Sequence, residues 1–212
     1  MRNRELRRIM ISDPKCAALL AISCGNTASF CDTFARIHTE FRAISTQTEK
    51  LTFPNMGWNI DRVIECEHAV RGNAVAEYCE LVHTELRCVE KELIVCACYL
   101  GRYDVIQRWG LNWKSMRANI AFIMFCIGFG GCIDCLEASI AANSAYSAFA
   151  EFCVAGACYG GQRAMCSYVI TKYSNHICMS RSGILIVSNA ISSRGDWSEK
   201  TPRITAARRI YA

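Results

Sequence analysis

Hydrophobic positions along the chain fall into short apolar runs punctuated by glycine. The clearest stretch is Leu93 to Asn112, LIVCACYLGRYDVIQRWGLN. An apolar run ends at Gly101, a second short run contains Val105 and Ile106, and Trp109-Gly110-Leu111-Asn112 closes the segment. That order predicts a helix, a tight turn, a second helix and an exit loop. Gly131 and Gly161 follow Gly101 at equal intervals, each between two apolar runs, and Gly72 precedes it at nearly the same interval.

The flanks of these glycines repeat as well. Two residues before the turn come Tyr99, Phe129 and Tyr159; four before come Ala97, Ile127 and Ala157; eight before come Leu93, Ile123 and Cys153. Beyond the turn, Val105, Cys135 and Met165 fall four residues on, and Ile106, Leu136 and Cys166 five residues on. A chance spacing of glycines does not bring matched flanks with it. Repeats of this length signal an all-α solenoid in which each helix pair buries its apolar face against its neighbours. Gly72, Gly101, Gly131 and Gly161 are then the repeat turns, where a left-handed residue costs a side chain with Cβ about 1 kcal/mol or more. Small residues such as Ala97 and Ala157 are expected to let adjacent units approach closely.

This periodicity divides a single domain, 1–212, into units of about 62–90, 91–118, 119–149 and 150–180. Degenerate capping units are expected at 13–40 and 181–212, giving five or six helix pairs in all. Asp13 with Pro14 marks a helix start, and Phe34 and Ile37 lie at helical spacing in the same unit. Between Arg42 and Asp61 the pattern loosens, although Phe53, Met56 and Trp58 anchor what reads as an ordered connection. Gly183 to Ile191, with Gly195 and Thr201-Pro202 beyond it, reads as a polar terminal cap.

Ala97-Cys98-Tyr99-Leu100-Gly101-Arg102-Tyr103-Asp104-Val105-Ile106 resembles the ankyrin-repeat pattern A-A-x-x-G-H-x-D/E-V-V, and Gly110-Leu111-Asn112 is similar to a shortened G-A-D-V-N exit. Gly131-Cys132-Ile133-Asp134-Cys135-Leu136 is similar to the G-H-L-D-C-L variant of divergent ankyrin arrays, many of them in large DNA viruses. The T-P-L-H opening is missing from the three good copies, and Arg102, Cys132 and Gln162 stand where the family has histidine. The resemblance covers about residues 62 to 170. It implies a solenoid of ankyrin-like helix-turn-helix repeats and a non-enzymatic protein-protein interaction module, of the kind a virus or intracellular pathogen uses to bind and modulate host proteins.

Composition narrows the picture. The hydrophobic fraction of 52% excludes a disordered chain. Fifteen cysteines is an odd number, most of them inside apolar runs, and no secretory h-region follows Arg2, Arg4, Arg7 and Arg8; a cytoplasmic or nuclear location with free thiols is the expectation. A net charge of +5, with Arg203, Arg208 and Arg209 at the other end, is too modest to point to specific nucleic acid. From Arg117 to Asp134 the chain has sixteen uncharged residues, short of the ~20 that span a bilayer.

Signatures for catalysis are missing: there is no phosphate-binding G-x-x-x-x-G-K-[ST], no H-E-x-x-H and no G-x-S-x-G. The expectation is therefore a protein that is not an enzyme, holds no cofactor, and binds another protein, host-derived, without a membrane span. Arg102, Tyr103, Trp113 and Lys114, polar or aromatic beside the turns, are the candidate partner-binding residues. The alternative is a zinc-binding or otherwise enzymatic protein. Its candidate ligands are Cys66, His68, Cys79 and His83, since Cys and His clustered within eighteen residues is the chemistry a zinc ion selects. Cys132-x-x-Cys135 is a second cysteine pair, but repeat alignment puts Cys135 level with Val105 and Met165, both core types.

The register of the repeat makes one partner-independent prediction. Gly131→Val lowers stability by more than about 1 kcal/mol because valine resists a positive φ. A melting temperature equal to that of the parent would contradict the register.

Overall fold

A computed structural model describes residues 13–23, 31–45 and 59–178 of the chain. In chain order the helices are α1 (Pro14–Ser23), α2 (Cys31–Ser45), α3 (Ile60–Arg71), α4 (Val75–Leu81), α5 (Leu86–Tyr99), α6 (Tyr103–Trp109), α7 (Ile120–Gly130), α8 (Ile133–Ala142), α9 (Ala150–Gly160), α10 (Arg163–Lys172) and α11 (Ser174–Cys178). Two 3₁₀ turns, Trp113–Asn119 and Ser144–Phe149, precede α7 and α9. The described residues contain helices, turns and bends, and no strand. The anchors Phe53, Met56 and Trp58, the cap at 181–212 and both arginine-rich ends lie outside the described residues.

Four helix turns obey one rule. Gly101, Gly131 and Gly161 sit at φ 69°, 72° and 73°, in the left-handed region. In the turn before α4 the left-handed residue is Asn73, at φ 53°, whereas Gly72 is right-handed at φ −81°. Asn tolerates this conformation better than most residues with a Cβ. The hydrogen bonds confirm the equivalence: Ala74, Arg102 and Gln162 donate their backbone N–H to Ala69, Ala97 and Ala157 carbonyls, each at 2.8 Å. These bonds satisfy carbonyls that a helix end leaves without intrahelical partners. The left-handed position in the first of the four turns thus falls immediately after Gly72, not on it.

The first helices of the units lie side by side in a row, α3, α5, α7, α9. Cys96 Sγ reaches the Val63 carbonyl at 3.3 Å and Tyr99 Oη donates to Glu67, contacts that advance together along α3 and α5 and make them parallel. Further along, the row closes to backbone contact. A Cβ on Gly128 would lie 1.9 Å from the Cys153 carbonyl oxygen, and one on Gly156 would lie 2.0 Å from that of Phe125. Gly130 and Gly160 meet the carbonyls of Cys98 and Phe129 in the same way, at 2.1 and 2.2 Å. Glycines on facing helices, beyond the small residues Ala97 and Ala157, set the spacing of the row.

The second helices, α4, α6, α8 and α10, pack beside the row and supply the matched apolar positions. Val105, Cys135 and Met165 are all buried, as are Ile106, Leu136 and Cys166. Residues in register therefore share an environment as well as a place in the repeat. The 3₁₀ turns repeat too: Asn112 and Asn143 accept from the backbone N–H of Lys114 and Ala145 at 3.0 and 3.1 Å, and Met116 and Tyr146 are fully buried.

The N-terminal helices depart from the helix pair expected over 13–40. Helix α1 flanks α3, where the place of Gly72 is explained: a Cβ there would meet Ala18 Cβ at 2.5 Å and the Pro14 carbonyl at 2.8 Å. The C-terminal end of α3 thus meets the N-terminal half of α1, opposite to the sense of the row, where Gly130 near the end of α7 meets Cys98 near the end of α5. Helix α2 leaves this layer and crosses the row. Phe34 packs near Tyr99 of α5 and Phe122 of α7, and Phe41 touches Phe122, Phe125 and Phe152, the last on α9.

Crossing by α2 accounts for the composition of α7, IAFIMFCIGFG, which has no polar side. At about 100° per residue, Gly130 and Gly128 point to nearly opposite flanks. The first meets α5 and the second α9. Phe122, Phe125 and Phe129 form a third stripe toward α2, and α8 packs alongside as well. A helix enclosed in this way is apolar all round because every side is interior. No described helix is long and apolar enough to cross a membrane.

The glycine contacts carry a quantitative prediction. Gly128→Ala and Gly156→Ala each lower stability by about 1–3 kcal/mol, because the methyl group meets backbone that cannot rotate away. Gly110→Ala, at φ 59° but with no atom within 4 Å of its Cβ position, bears backbone strain alone, about 1 kcal/mol. Urea denaturation of the three variants checks the order.

Candidate partner-binding surface

The face of the row that α2 crosses is not open. Phe34, Ile37, Phe41 and Ile44 form one stripe of α2 and are all buried. Each such side chain contributes about 1.5–3 kcal/mol on leaving water. Arg36, on the side of α2 away from that stripe's centre, lies over the Phe129 ring at 5.3 Å. The aromatic surface of α5, α7 and α9 is therefore covered by the chain's own helix. What remains outward is the edge formed by the turns and the second helices.

The four sequence-predicted contact residues divide along this edge. Arg102 and Tyr103 stand at the start of α6, while Trp113 and Lys114 lie beyond its C-terminal end, about 10 Å along the helix. Trp113 differs from the expectation: it is buried, its ring against Tyr146, whose hydroxyl donates to the Trp113 carbonyl at 3.2 Å. It joins successive 3₁₀ turns from inside. Lys114 is exposed and Tyr103 half-buried, packed against the core.

Arg102 is largely engaged within the chain. Its Nη1 donates to the Val70 carbonyl at 3.1 Å, tying the end of α3 to the next unit. Nε and Nη2 grip the two oxygens of Asp104, each at 2.8 Å. This paired geometry is the strong form of a guanidinium-carboxylate contact. The Arg102 guanidinium holds the Asp104 carboxyl below its usual range. Arg102 is a fastener between units first.

Sequence reasoning alone missed a cleft beside it, of about 460 Å³, lined by the start of α1, the α3–α4 turn, the first turn of α4 and the end of α6. Arg71, Arg108, Lys15 and Trp109 face it together with Asp13 and Glu77. Arg108 Nη1 reaches Asn73 Oδ1 at 3.4 Å, leaning toward the N-terminus of α6 as helix side chains do, and its guanidinium carbon stands 5.9 Å from the Trp109 ring centre. Lys15 pairs with Glu77, whose carboxyl is held below its usual range mainly by that hydrogen bond. No linear motif announces this place, because its residues come from positions 13–15, 71–77 and 108–109.

The zinc alternative meets helix geometry. Cys66 and His68 are two residues apart on α3, about 200° around the helix, so they point to opposite sides. Cys66 is buried and its thiol is pushed well up by desolvation; His68, also buried, is held below the usual imidazole range by the same cause. Cys79 is half-buried on α4 and His83 exposed in the turn after it, at φ 49°. Among the described residues no three His, Cys, Asp or Glu side chains converge to hold a metal ion.

Cys132 and Cys135 have a local structural task. Cys132 Sγ accepts the Cys135 backbone N–H at 3.3 Å, capping α8. Hydrogen bonding to Cys135, followed by burial, pushes the Cys132 thiol up. For Cys135 the Cys132 contact acts downward, but hydrogen bonding to Cys98 and burial outweigh it. Thiols held protonated are poor nucleophiles and poor metal ligands.

Family models, curated proteins and solved structures give no match to this chain.

The covered face generates its own test. Phe41→Ala costs about 3–5 kcal/mol, the range for emptying a buried aromatic site, and increases binding of a dye that reports exposed apolar surface. Thr39→Ala, on the exposed side of α2, stays within about 0.5 kcal/mol. Equal effects of the two in chemical denaturation would mean that α2 does not seal the row.

Proposed function

We propose that the chain is a short solenoid of ankyrin-like helix pairs that serves as a non-enzymatic scaffold binding another protein. The observation that carries this reading is the division of its surface. Parallel helices stacked through a common turn form a continuous row, α2 seals the aromatic side, and the opposite elements leave an edge where polar and aromatic groups from successive units stand together. Scaffolds of this kind recognise partners with surfaces assembled from several repeats, each unit contributing a few side chains. Tyr103, Arg108 and Trp109, with the cleft beside them, are the part of that edge with the aromatic and arginine character of interface hot spots.

The resemblance to divergent viral arrays supports a host protein as the partner and a cytoplasmic or nuclear setting. A zinc-dependent reading would need Cys66 and His68 on one side of α3, and the helix separates them.

Affinity purification of the full chain from cells tests the proposal. A stoichiometric protein partner is expected, and Tyr103→Ala weakens its binding tenfold or more, about 1.4 kcal/mol. Arg87→Glu, exposed at the start of α5 and away from the turns, leaves binding within twofold. Thermal melting of both variants separates lost contact from lost folding. If no protein is retained by the folded chain, or if Arg87→Glu alone abolishes binding, the proposed edge is wrong.

A further inference from the structure

The cleft at the end of α3 has a charge arrangement that selects among partners. Its three cations come from three elements: Lys15 from α1, Arg71 from the end of α3 and Arg108 from α6. They are not equally committed. Lys15 is paired with Glu77 on the rim. Asp13 turns toward its own helix, accepting the Lys15 backbone N–H at 2.9 Å and the Cys16 thiol at 3.4 Å. Arg71 is fixed from beneath, where its Nε donates at 2.9 Å to Glu67, a wholly buried carboxylate. That bond sets the plane of the guanidinium while 42% of the side chain stays exposed. Arg108, exposed, meets the neutral amide oxygen of Asn73 at a long 3.4 Å and stands beside the Trp109 indole.

We propose that this cleft seats a short extended segment of the partner protein, with an acidic side chain between Arg71 and Arg108 and its stem against Trp109. The proposal rests on the reading of the chain as a protein-binding scaffold and names the chemistry that scaffold selects. A carboxylate matches the planar fork that guanidinium groups present, and Trp109 offers apolar area beside it. Asp13 and Glu77 on the rim decide between macromolecules. A nucleic-acid strand brings a phosphate at every nucleotide past both carboxylates, whereas a peptide brings one anion where the arginines stand and leaves the rim to neutral or basic residues. Arg102, whose Nη1 holds the Val70 carbonyl next to Arg71, is a positioning residue for this site and connects it to the Tyr103 edge.

The test uses the full chain and three probes: an end-blocked hexapeptide with one glutamate among five serines, an end-blocked hexaserine peptide and inorganic phosphate. The indole N–H signal of Trp109, identified by its loss in Trp109→Phe, is followed by NMR. The glutamate hexapeptide is expected to shift that signal saturably, hexaserine to leave it in place, and Arg108→Glu to weaken the response tenfold or more while keeping the melting temperature. Arg87→Glu, which makes the same change of charge at the exposed start of α5, is expected to change the affinity less than twofold. An unmoved Trp109 signal, an unchanged response in Arg108→Glu, or equal shifts from phosphate and the glutamate hexapeptide overturns the acidic-segment proposal. Failure here is separate from failure of the scaffold reading: a partner captured in a Tyr103-dependent way with Arg108→Glu still binding fully leaves the scaffold and removes the cleft. Conversely, a chain that binds the glutamate hexapeptide at Trp109 but retains no protein from cells keeps the small anion-binding site and loses the scaffold.

Discussion

Backbone contact between α7 and α9 is the constraint on which the rest of the structure depends. Gly128, Gly156 and Gly160 leave no side chain between these helices where their backbones meet, and Gly130 does the same toward α5. Helices this close gain dispersion contacts along their whole length, but they tolerate no enlargement at the seam. Once the seam is fixed, the remaining sides of α7 are fixed as well: one toward its own second helix, one toward α2. A polar residue anywhere on α7 would then be buried without assured partners. The apolar composition of this helix is a consequence of its position at the centre of the row.

A sealed row explains why the surface is divided as it is. Left bare, Phe122, Phe125 and Phe152 would form a contiguous apolar patch of the kind that drives nonspecific association. Phe34 and Phe41 cover it, and Ile37 and Ile44 extend the stripe that buries α2. The charges displaced from the interior collect at the turns, where Arg102 fastens α3 to α6 and Lys15 fastens α1 to α4. Even the buried carboxylate Glu67 is held by two such ties, from Tyr99 and Arg71. Links between units are thus charged at the edge, while inside they combine apolar packing with a few buried hydrogen bonds, Tyr99 to Glu67 and Tyr146 to the Trp113 carbonyl.

How much of this was legible in the sequence follows from which constraints leave a local mark. A left-handed turn leaves one, because glycine adopts it cheaply, so Gly101, Gly131 and Gly161 locate three turns without ambiguity. Asn73 shows the limit: asparagine also enters that region, and the neighbouring Gly72 is present for a different reason, the approach of Ala18. The glycines of the seam read as part of the same turn signal, since spacing along one helix does not say which backbone lies opposite. Phe34, Ile37, Phe41 and Ile44 do mark an amphipathic helix, yet their period is silent about the face they cover. Trp113 looks like an exposed aromatic beside a loop, and its burial depends on Tyr146, a full unit further along the chain.

The candidate site was the least legible part, for a physical reason. Arg71 owes its orientation to Glu67 one turn earlier, but Arg108 owes its place to Asn73 in the neighbouring unit, and the cleft wall is completed by α1 from outside the repeats. Each residue satisfies a local rule of its own helix, and the site arises from their juxtaposition. Because the seam sets the spacing between units and the turns set their register, side chains on the edge can be exchanged without disturbing either. The core positions that recur from unit to unit carry the fold, and Arg71 belongs with them because it holds the buried Glu67, while Arg108 stands exposed on the edge. The cleft is therefore a property of the pair of units that meet at the edge, not of either one alone.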